Sequence, residues 1–187
     1  MSSSDLEKEI KLSVPDLADA ARLVLSVGAK LAKERHFEDN YVFDTTDQKL
    51  RRNKMLLRVR IVGSQGVLTF KGTPDYSKEV KEREEIECDV EDAESLIRIL
   101  LRIGFSLLFR YQKYRTVYKV EGMPLEISMD ETPIGNYLEL EGEIDSIHEC
   151  ARRLGFLREQ YILESYATLY DRWCRENNRT IAYMTFE

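Results

Sequence analysis

Glu7-Lys8-Glu9-Ile10-Lys11, close to the N-terminus, is the stretch on which the fold turns. Read as a strand it alternates with period 2, so Glu7, Glu9 and Lys11 share one face while Lys8, Ile10 and Leu12 share the other. Two carboxylates and an ammonium in a row are groups that a divalent cation and an anion can share. A solvated strand face carries the same pattern, so its recurrence along the chain is what gives it weight.

The pattern recurs in most of the strands that follow. Met55 to Val62 sets Leu57, Val59 and Ile61 against Leu56, Arg58 and Arg60, and Gly63-Ser64-Gln65-Gly66 then reads as a hairpin turn. Val67 to Lys71 returns with Leu68 and Phe70 opposite Thr69 and Lys71. Lys81 to Asp89 opposes Arg83, Glu85 and Glu87 to Glu84, Ile86 and Cys88. Leu107 to Val120 carries Tyr111, Lys113, Arg115 and Val117 on one face. Leu125 to Asp130 opposes Glu126, Ser128 and Asp130 to Leu125, Ile127 and Met129, and Tyr137 to Glu143 opposes Glu139, Glu141 and Glu143 to Leu138 and Leu140. His36 to Thr45 is aromatic and alternating, a further strand.

Between these, apolar residues at helical spacing predict helices over about 16–32, capped by Ser13 or Asp16, and over 92–103, stopped by Gly104. A third runs through Ile147, Ala151 and Leu154 to Gly155, and a last one through Tyr166, Leu169, Tyr170 and Trp173. Thr46 to Asn53 reads as a polar connection, Gly72 to Lys78 as a loop, and the residues after Arg175 as polar and weakly patterned.

Length and composition narrow the rest. The 187 residues suit one domain, 1–187, with a core over about 6–172. A net charge of −6 argues against an electrostatic grip on bulk nucleic acid. Cys88, Cys150 and Cys174 are odd in number and widely spaced, which fits neither a disulfide framework nor a zinc site, and His36 and His148 are the only histidines. Any metal is then held by carboxylates, which favours magnesium or manganese. Met1 to Asp5 is a polar lead-in and no stretch reaches the length of a membrane helix, so the expectation is a cytoplasmic protein with no membrane partner. The oligomeric state is not legible.

The charged faces are chemically sorted. Arg58, Arg60, Lys71, Lys113 and Arg115 come from the middle strands; Glu7, Glu9, Asp130, Glu139 and Glu141 come from the first and last. Antiparallel sheets often leave a charged face in water. The alternative is an α+β fold in which eight antiparallel strands close into a barrel, charged inside and apolar outside under the helices. A barrel lined with charge needs a ligand of complementary charge, and a triphosphate carrying a divalent cation meets both kinds of wall.

The same residues carry a family resemblance. Glu7-x-Glu9-x-Lys11 resembles the ExExK signature of CYTH domains, also called triphosphate tunnel metalloenzymes. In order, Asn40 to Thr45 followed by Leu50 resembles the family's Tyr-x-Asp-Thr strand, Leu57 to Arg60 its LRxR element, and Leu68 to Lys71 its strand ending in lysine. Arg83 to Glu87 resembles its RxExE strand, and Lys113-Tyr114-Arg115 its basic pair. Asp130, Gly135 and Glu139-Leu140-Glu141 resemble its late acidic elements, and Ser165-Tyr166 its terminal helix. The resemblance spans residues 6 to about 172 and implies a closed eight-stranded antiparallel β-barrel, a tunnel with a charged interior covered by helices.

It also implies roles. Glu7, Glu9, Asp130, Glu139 and Glu141 would hold Mg2+ or Mn2+; Lys11, Arg58, Arg60, Lys71, Arg83, Lys113 and Arg115 would hold the triphosphate; Glu85 and Glu87 would orient the arginines. Glu7, Glu9, Lys11 and Glu141 stand nearest the chemistry. The activity expected is metal-dependent hydrolysis of a small-molecule triphosphate, inorganic or organic, by metal-activated water, with an alkaline optimum. The alternatives are cyclisation of ATP to cyclic AMP and pyrophosphate, and a binding module without catalysis. The sequence departs from some members at the C-terminus, where Arg172 and Arg175 stand in place of a phosphate-reaching lysine. Outside these motifs, His36 and His148 read as surface residues, Trp173 as core and Cys88 as packing on the apolar face.

Overall fold

The computed structural model describes residues 6–76 and 79–186. The lead-in Met1 to Asp5 and the loop residues Ser77 and Lys78 lie outside the described residues. Eight strands run in chain order: β1 (Leu6–Val14), β2 (Ala29–Thr45), β3 (Leu56–Val62), β4 (Gln65–Lys71), β5 (Lys81–Val90), β6 (Phe105–Val120), β7 (Leu125–Thr132) and β8 (Gly135–Gly142). They close as an antiparallel barrel in the order β1-β5-β4-β3-β2-β6-β7-β8. The helices are α1 (Leu17–Ser26), α2 (Lys49–Arg52), α3 (Ala93–Arg102), α4 (Ile144–Arg153) and α5 (Tyr166–Glu176).

The barrel is apolar on its outside, as the alternation predicts. Ile10, Leu12, Ile127, Leu138 and Leu140 face outward and pack with Val24 of α1 and Ile147, Ala151 and Leu154 of α4. Leu12, Leu138 and Leu140 are fully buried there, and each such side chain contributes about 1.5–3 kcal/mol of burial free energy. A second cluster joins Val42 and Phe109 to Tyr166, Leu169 and Tyr170 of α5, with Trp173 half-buried against it. A third sets Phe43 and Val59 under Ala93 and Leu100 of α3. Cys88 is exposed rather than packed, because the outer face of β5 lies beyond the cover of α3.

The first helix is shorter than its periodicity implies. Asp16 caps it, accepting from the Asp19 N–H at 2.8 Å, but it ends at Ser26 and β2 begins at Ala29. The reason is Gly28: its φ of +83° is left-handed, a helix stop that glycine takes without strain. Counting Gly28 as one more position on the helical face runs the element too far. The connection over 46–53 contains the short helix α2, and Asp44 caps it. The buried Asp44 carboxylate accepts from the Thr45, Leu50 and Arg51 N–H groups at 2.7–2.9 Å. The aspartate of the Tyr-x-Asp-Thr-like motif is therefore bound into backbone. Past α5 the chain returns to the barrel. The Gln112 N–H donates to the Met184 carbonyl at 2.8 Å and the Met184 N–H to the Arg110 carbonyl at 3.0 Å, with Met184 fully buried.

Candidate active site

Strand alternation and register assemble the tunnel wall. From β1, Glu7, Glu9 and Lys11 point inward and are buried. Glu9 lies opposite Lys81 on one side and Glu141 on the other. Lys71 faces Glu85 and Thr69 faces Glu87 across β4 and β5. Glu38 faces Lys113 across β2 and β6, while Arg115 faces Asp130 across β6 and β7. A cavity of about 270 Å3 lies at the Glu38, Arg60 and Arg115 wall. Ala32 and Val117 are its apolar lining residues, and His36, Lys33, Lys119 and Glu126 complete it.

Most of the wall is tied in ion pairs. Asp130 is fully buried and accepts from Lys113 Nζ at 2.9 Å, from Arg115 Nε and Nη2 at 2.6 Å each, and from the Tyr166 hydroxyl at 2.7 Å. Arg115 also donates to Glu139, which lies 3.4 Å from Lys11 Nζ. Glu9 accepts from Lys11 at 3.2 Å and from Lys81. Glu7 accepts from Arg83 Nε at 3.0 Å and from Lys71, whose Nζ is 2.9 Å from Glu85. Glu87 accepts from Arg60 at 2.8 Å, the Thr69 hydroxyl at 2.7 Å and Arg58 at 3.4 Å. Arg58 donates as well to the buried Tyr111 hydroxyl at 3.1 Å.

Electrostatics separates these carboxylates. Burial alone would raise Glu9, but the ammoniums of Lys11, Lys81 and Lys71 overcome it and hold the carboxyl well below its usual range. Glu139 is lowered in the same way, burial being outweighed by Lys11, Lys113 and Arg115. Glu141 goes the other way. Among the described residues no hydrogen bond or ion pair holds it. Desolvation by the surrounding wall, and the charges of Glu7 and Glu9, push it up to about 8 although its side chain still meets solvent. Glu85 is raised by burial too, with Lys71 pulling against it.

One oxygen each from Glu7, Glu85 and Glu141 lie within 4.8 Å of one another. Three hard oxygen donors, two of them raised by desolvation and by the neighbouring carboxylates, fit a divalent cation of the magnesium or manganese kind. Of the five carboxylates expected to converge on a cation, Glu7 and Glu141 are in this trio. Glu9, Asp130 and Glu139 lie outside it, bonded to lysines and arginines, as Glu7 also is to Lys71 and Arg83. Glu85, expected to orient arginines, joins the trio because β5 is the neighbour of β1 and its inner face follows Arg83 by period 2. Glu87 does bond the arginines, and Arg58, Arg60, Lys71, Arg83, Lys113 and Arg115 all line the interior.

The wall also contains residues that the sequence reading passed over. Glu38 is buried beside His36, Arg60 and Lys113; burial would raise its carboxyl, and Lys113 and Arg115 hold it well below the usual range. Lys81 is buried against Glu9, and burial pushes it down to about 8 despite that partner. Asn40 is fully buried in the β2 wall, opposite Arg60 on one side and Tyr111 on the other. Period 2 marks all three: Lys81 precedes Arg83 by two residues, and Glu38 and Asn40 follow His36 by two and four. Tyr166 closes the wall from α5, its ring 5.5 Å from Lys11 Nζ and 5.3 Å from Lys113 Nζ. His36 is half-buried in the cavity rather than on the surface, while His148 stacks on Tyr161.

A protein from Methanocaldococcus jannaschii named as a proposed adenylate cyclase is 34% identical over 145 residues, covering 77% of this chain and 81% of that one. The solved PH1012 protein of Pyrococcus horikoshii superimposes with a TM-score of 0.72 at 26% identity, over 86% of this chain and 96% of that one. A Hippeastrum protein, a proposed adenylyl cyclase described as having a dominant triphosphatase activity, superimposes with a TM-score of 0.62 at 23% identity. It covers 94% of this chain and 97% of its own length, and that likeness carries the fold alone. The family model of the CYTH domain matches residues 5–166. With a closed eight-stranded barrel lined by sorted cations and carboxylates, the chain belongs to the CYTH domain family, whose tunnels hold triphosphates.

Proposed function

We propose that the protein is a divalent-metal-dependent triphosphatase. Water attacks the terminal phosphorus of a bound triphosphate, the bond to the bridging oxygen breaks, and orthophosphate and a diphosphate leave. The observation that carries this reading is the opposition of one carboxylate trio, Glu7, Glu85 and Glu141, to a wall of buried guanidiniums and ammoniums. When bound, Mg2+ or Mn2+ would draw charge from the phosphoryl oxygens.

The chain's own residues do the rest. Arg58, Arg60, Lys113 and Arg115 grip the phosphates from the β3 and β6 walls, with forks that suit tetrahedral oxygens. Lys11, Lys71 and Arg83 reach in from the opposite side. Several of these cations are already paired with Glu7, Glu87, Asp130 or Glu139, so they are oriented before the ligand arrives and need little reorganisation to act. Glu141 holds a proton near neutral pH and gives it up when a cation takes its place.

Hydrolysis is favoured over cyclisation by the cavity. Seven of its nine lining residues are titratable, and only Ala32 and Val117 offer the apolar surface on which a purine would rest. The name of the 34%-identical relative favours cyclisation of ATP as the second reading. Incubation with tripolyphosphate, ATP and thiamine triphosphate in Mg2+ or Mn2+, followed by 31P NMR, separates the two. Orthophosphate release that stops in excess chelator is expected; cyclic AMP with pyrophosphate would overturn the hydrolase reading.

A further inference from the structure

Among the described residues, the buried side-chain atoms without a hydrogen-bond partner are Glu38 Oε2, Asn40 Nδ2 and Oδ1, Arg58 Nε and Arg60 Nε. All of them sit on two adjacent strands, β2 and β3, in one patch of wall. Asn40 is the extreme case, with both ends of its carboxamide unpaired at zero exposure. Buried polar groups are almost always bonded, so an orphaned amide marks a partner the fold does not itself supply.

Register says what that partner is. Asn40 lies opposite Arg60 on β3 and Tyr111 on β6, and the next inward residue along β2, Glu38, lies opposite Lys113. The outward neighbours behave differently: Asp39 accepts from Arg110 at 2.9 and 2.6 Å and from the Tyr41 hydroxyl at 3.2 Å, so the outer side of the same strand is satisfied. An amide flanked by Arg58, Arg60 and Lys113 faces the ground that an anion would occupy. A further lysine there would add like charge to a crowded, dry wall, whereas a neutral N–H donor adds a bond without repulsion.

We propose that Asn40 is a substrate-binding residue, its side-chain amide donating to a phosphate oxygen held between Arg60 and Lys113. This rests on the tunnel being a triphosphate site, and the test separates the two. Binding of inorganic tripolyphosphate in the presence of Mg2+ is measured by calorimetry on the full chain for the wild type, Arg60→Ala, Asn40→Leu and Asn40→Asp. Leucine keeps the branching of asparagine at Cγ, with greater volume, and removes the orphaned amide; aspartate keeps the shape and replaces the donor by an acceptor.

Asn40→Leu, checked for a cooperative thermal melt, should weaken tripolyphosphate about tenfold, the size of one lost hydrogen bond to a charged group. Asn40→Asp should weaken it further. In the wild type, the Asn40 side-chain NH2 resonance, assigned by its loss in Asn40→Asp, should move when tripolyphosphate is added. If wild type binds, Arg60→Ala does not, and Asn40→Leu binds like wild type with an unmoved NH2 signal, the Asn40 assignment falls while the tunnel reading stands. If the wild type binds no tripolyphosphate, both fall.

Discussion

Asp130 on β7 and Glu141 on the neighbouring β8 are both tunnel carboxylates, and they live in opposite surroundings. Asp130 is sealed from solvent with four donor bonds from Lys113, Arg115 and Tyr166. Glu141 has no bonding partner among the described residues, and burial of its surroundings with the charges of Glu7 and Glu9 pushes its pKa up to about 8. The difference teaches that carboxylates of one tunnel wall can carry opposite electrostatics: Asp130 is saturated by cationic donors, whereas Glu141 faces the carboxylates Glu9 and Glu126 across its strand pairs. We read the first as an anchor for cations and the second as open to a divalent cation. Glu7 and Glu85, both paired with Lys71 yet within reach of Glu141, stand between the two.

The largest expected effect follows from the sealed member. Asp130→Ala would leave Lys113, Arg115 and the Tyr166 hydroxyl buried without their acceptor. Breaking a buried pair by removing one partner costs about 3–5 kcal/mol. Urea denaturation should show a loss of that order, and kcat/KM should fall with it because Arg115 loses its anchor. Glu141→Gln should leave metal-free stability unchanged or higher. Equal destabilisation by the two substitutions would end the distinction between anchoring and cation-seeking carboxylates.

The next effect belongs to the cation-seeking member. With Mg2+ present, Glu141→Gln should lower kcat/KM by about 100-fold, since a divalent cation supplies several kcal/mol of charge stabilisation to the transition state. Glu87→Gln, whose carboxylate bonds Arg60 and Thr69 instead, should cost less and should not change the Mg2+ concentration needed for half-maximal activity. A Glu87→Gln variant that demanded more Mg2+ than Glu141→Gln would move the cation along the inner face of β5 toward Glu87.

A gentler probe is pH. Glu141 has a folded pKa raised to about 8 from an ordinary 4.5. The folded state therefore holds the proton more tightly, so this group's contribution to stability is full below about 4.5 and is lost as pH rises through about 8. Metal-free wild type should lose melting temperature across that window relative to Glu141→Gln, and Mg2+ should restore it at the alkaline end by replacing the proton. Apparent Mg2+ affinity should rise with pH over the same range, in keeping with an alkaline optimum. Superimposable pH profiles for wild type and Glu141→Gln would remove Glu141 from the cation site.

Much of this was legible in the chain because strand alternation is strict. Once Glu7, Glu9 and Lys11 are assigned to the inside, Arg58, Lys71, Arg115 and Glu139 follow by counting in twos, and the outer leucines and isoleucines demand helices over them. What failed to show is what counting cannot reach. Glu85 is separable from Glu87 only by what surrounds each side chain, Lys71 and Glu7 for one and Thr69 and Arg60 for the other. Glu38 and Asn40 lie in a strand whose alternation is dominated by aromatic residues on its other face, so their burial is not marked by the pattern. The end of α1 was set by the backbone angle of one glycine, Gly28, and the docking of Met184 depends on an edge of β6 that β7 leaves unpaired.

The smallest expected effect tests the face assignment on which all of this depends. Lys8 sits between Glu7 and Glu9 in sequence but on the outside of the barrel. Its ammonium lies 3.0 Å from Glu143, a carboxylate that is 66% exposed. An ion pair so open to solvent is worth about 0–1 kcal/mol and weakens further with salt. Glu9, one residue on, is buried among Lys11 and Lys81. Lys8→Ala should therefore shift the melting temperature by no more than a degree or two and leave kcat/KM within about twofold, because it removes one weak surface bond and no tunnel charge. Glu9→Gln, the adjacent substitution, should lower activity well beyond that, since it leaves two buried ammoniums short of their counter-charge. Kinetics on the pair, at matched ionic strength, decides the matter. If Lys8→Ala impairs turnover as Glu9→Gln does, β1 does not present alternate residues to opposite sides, and the charged interior loses its founding strand.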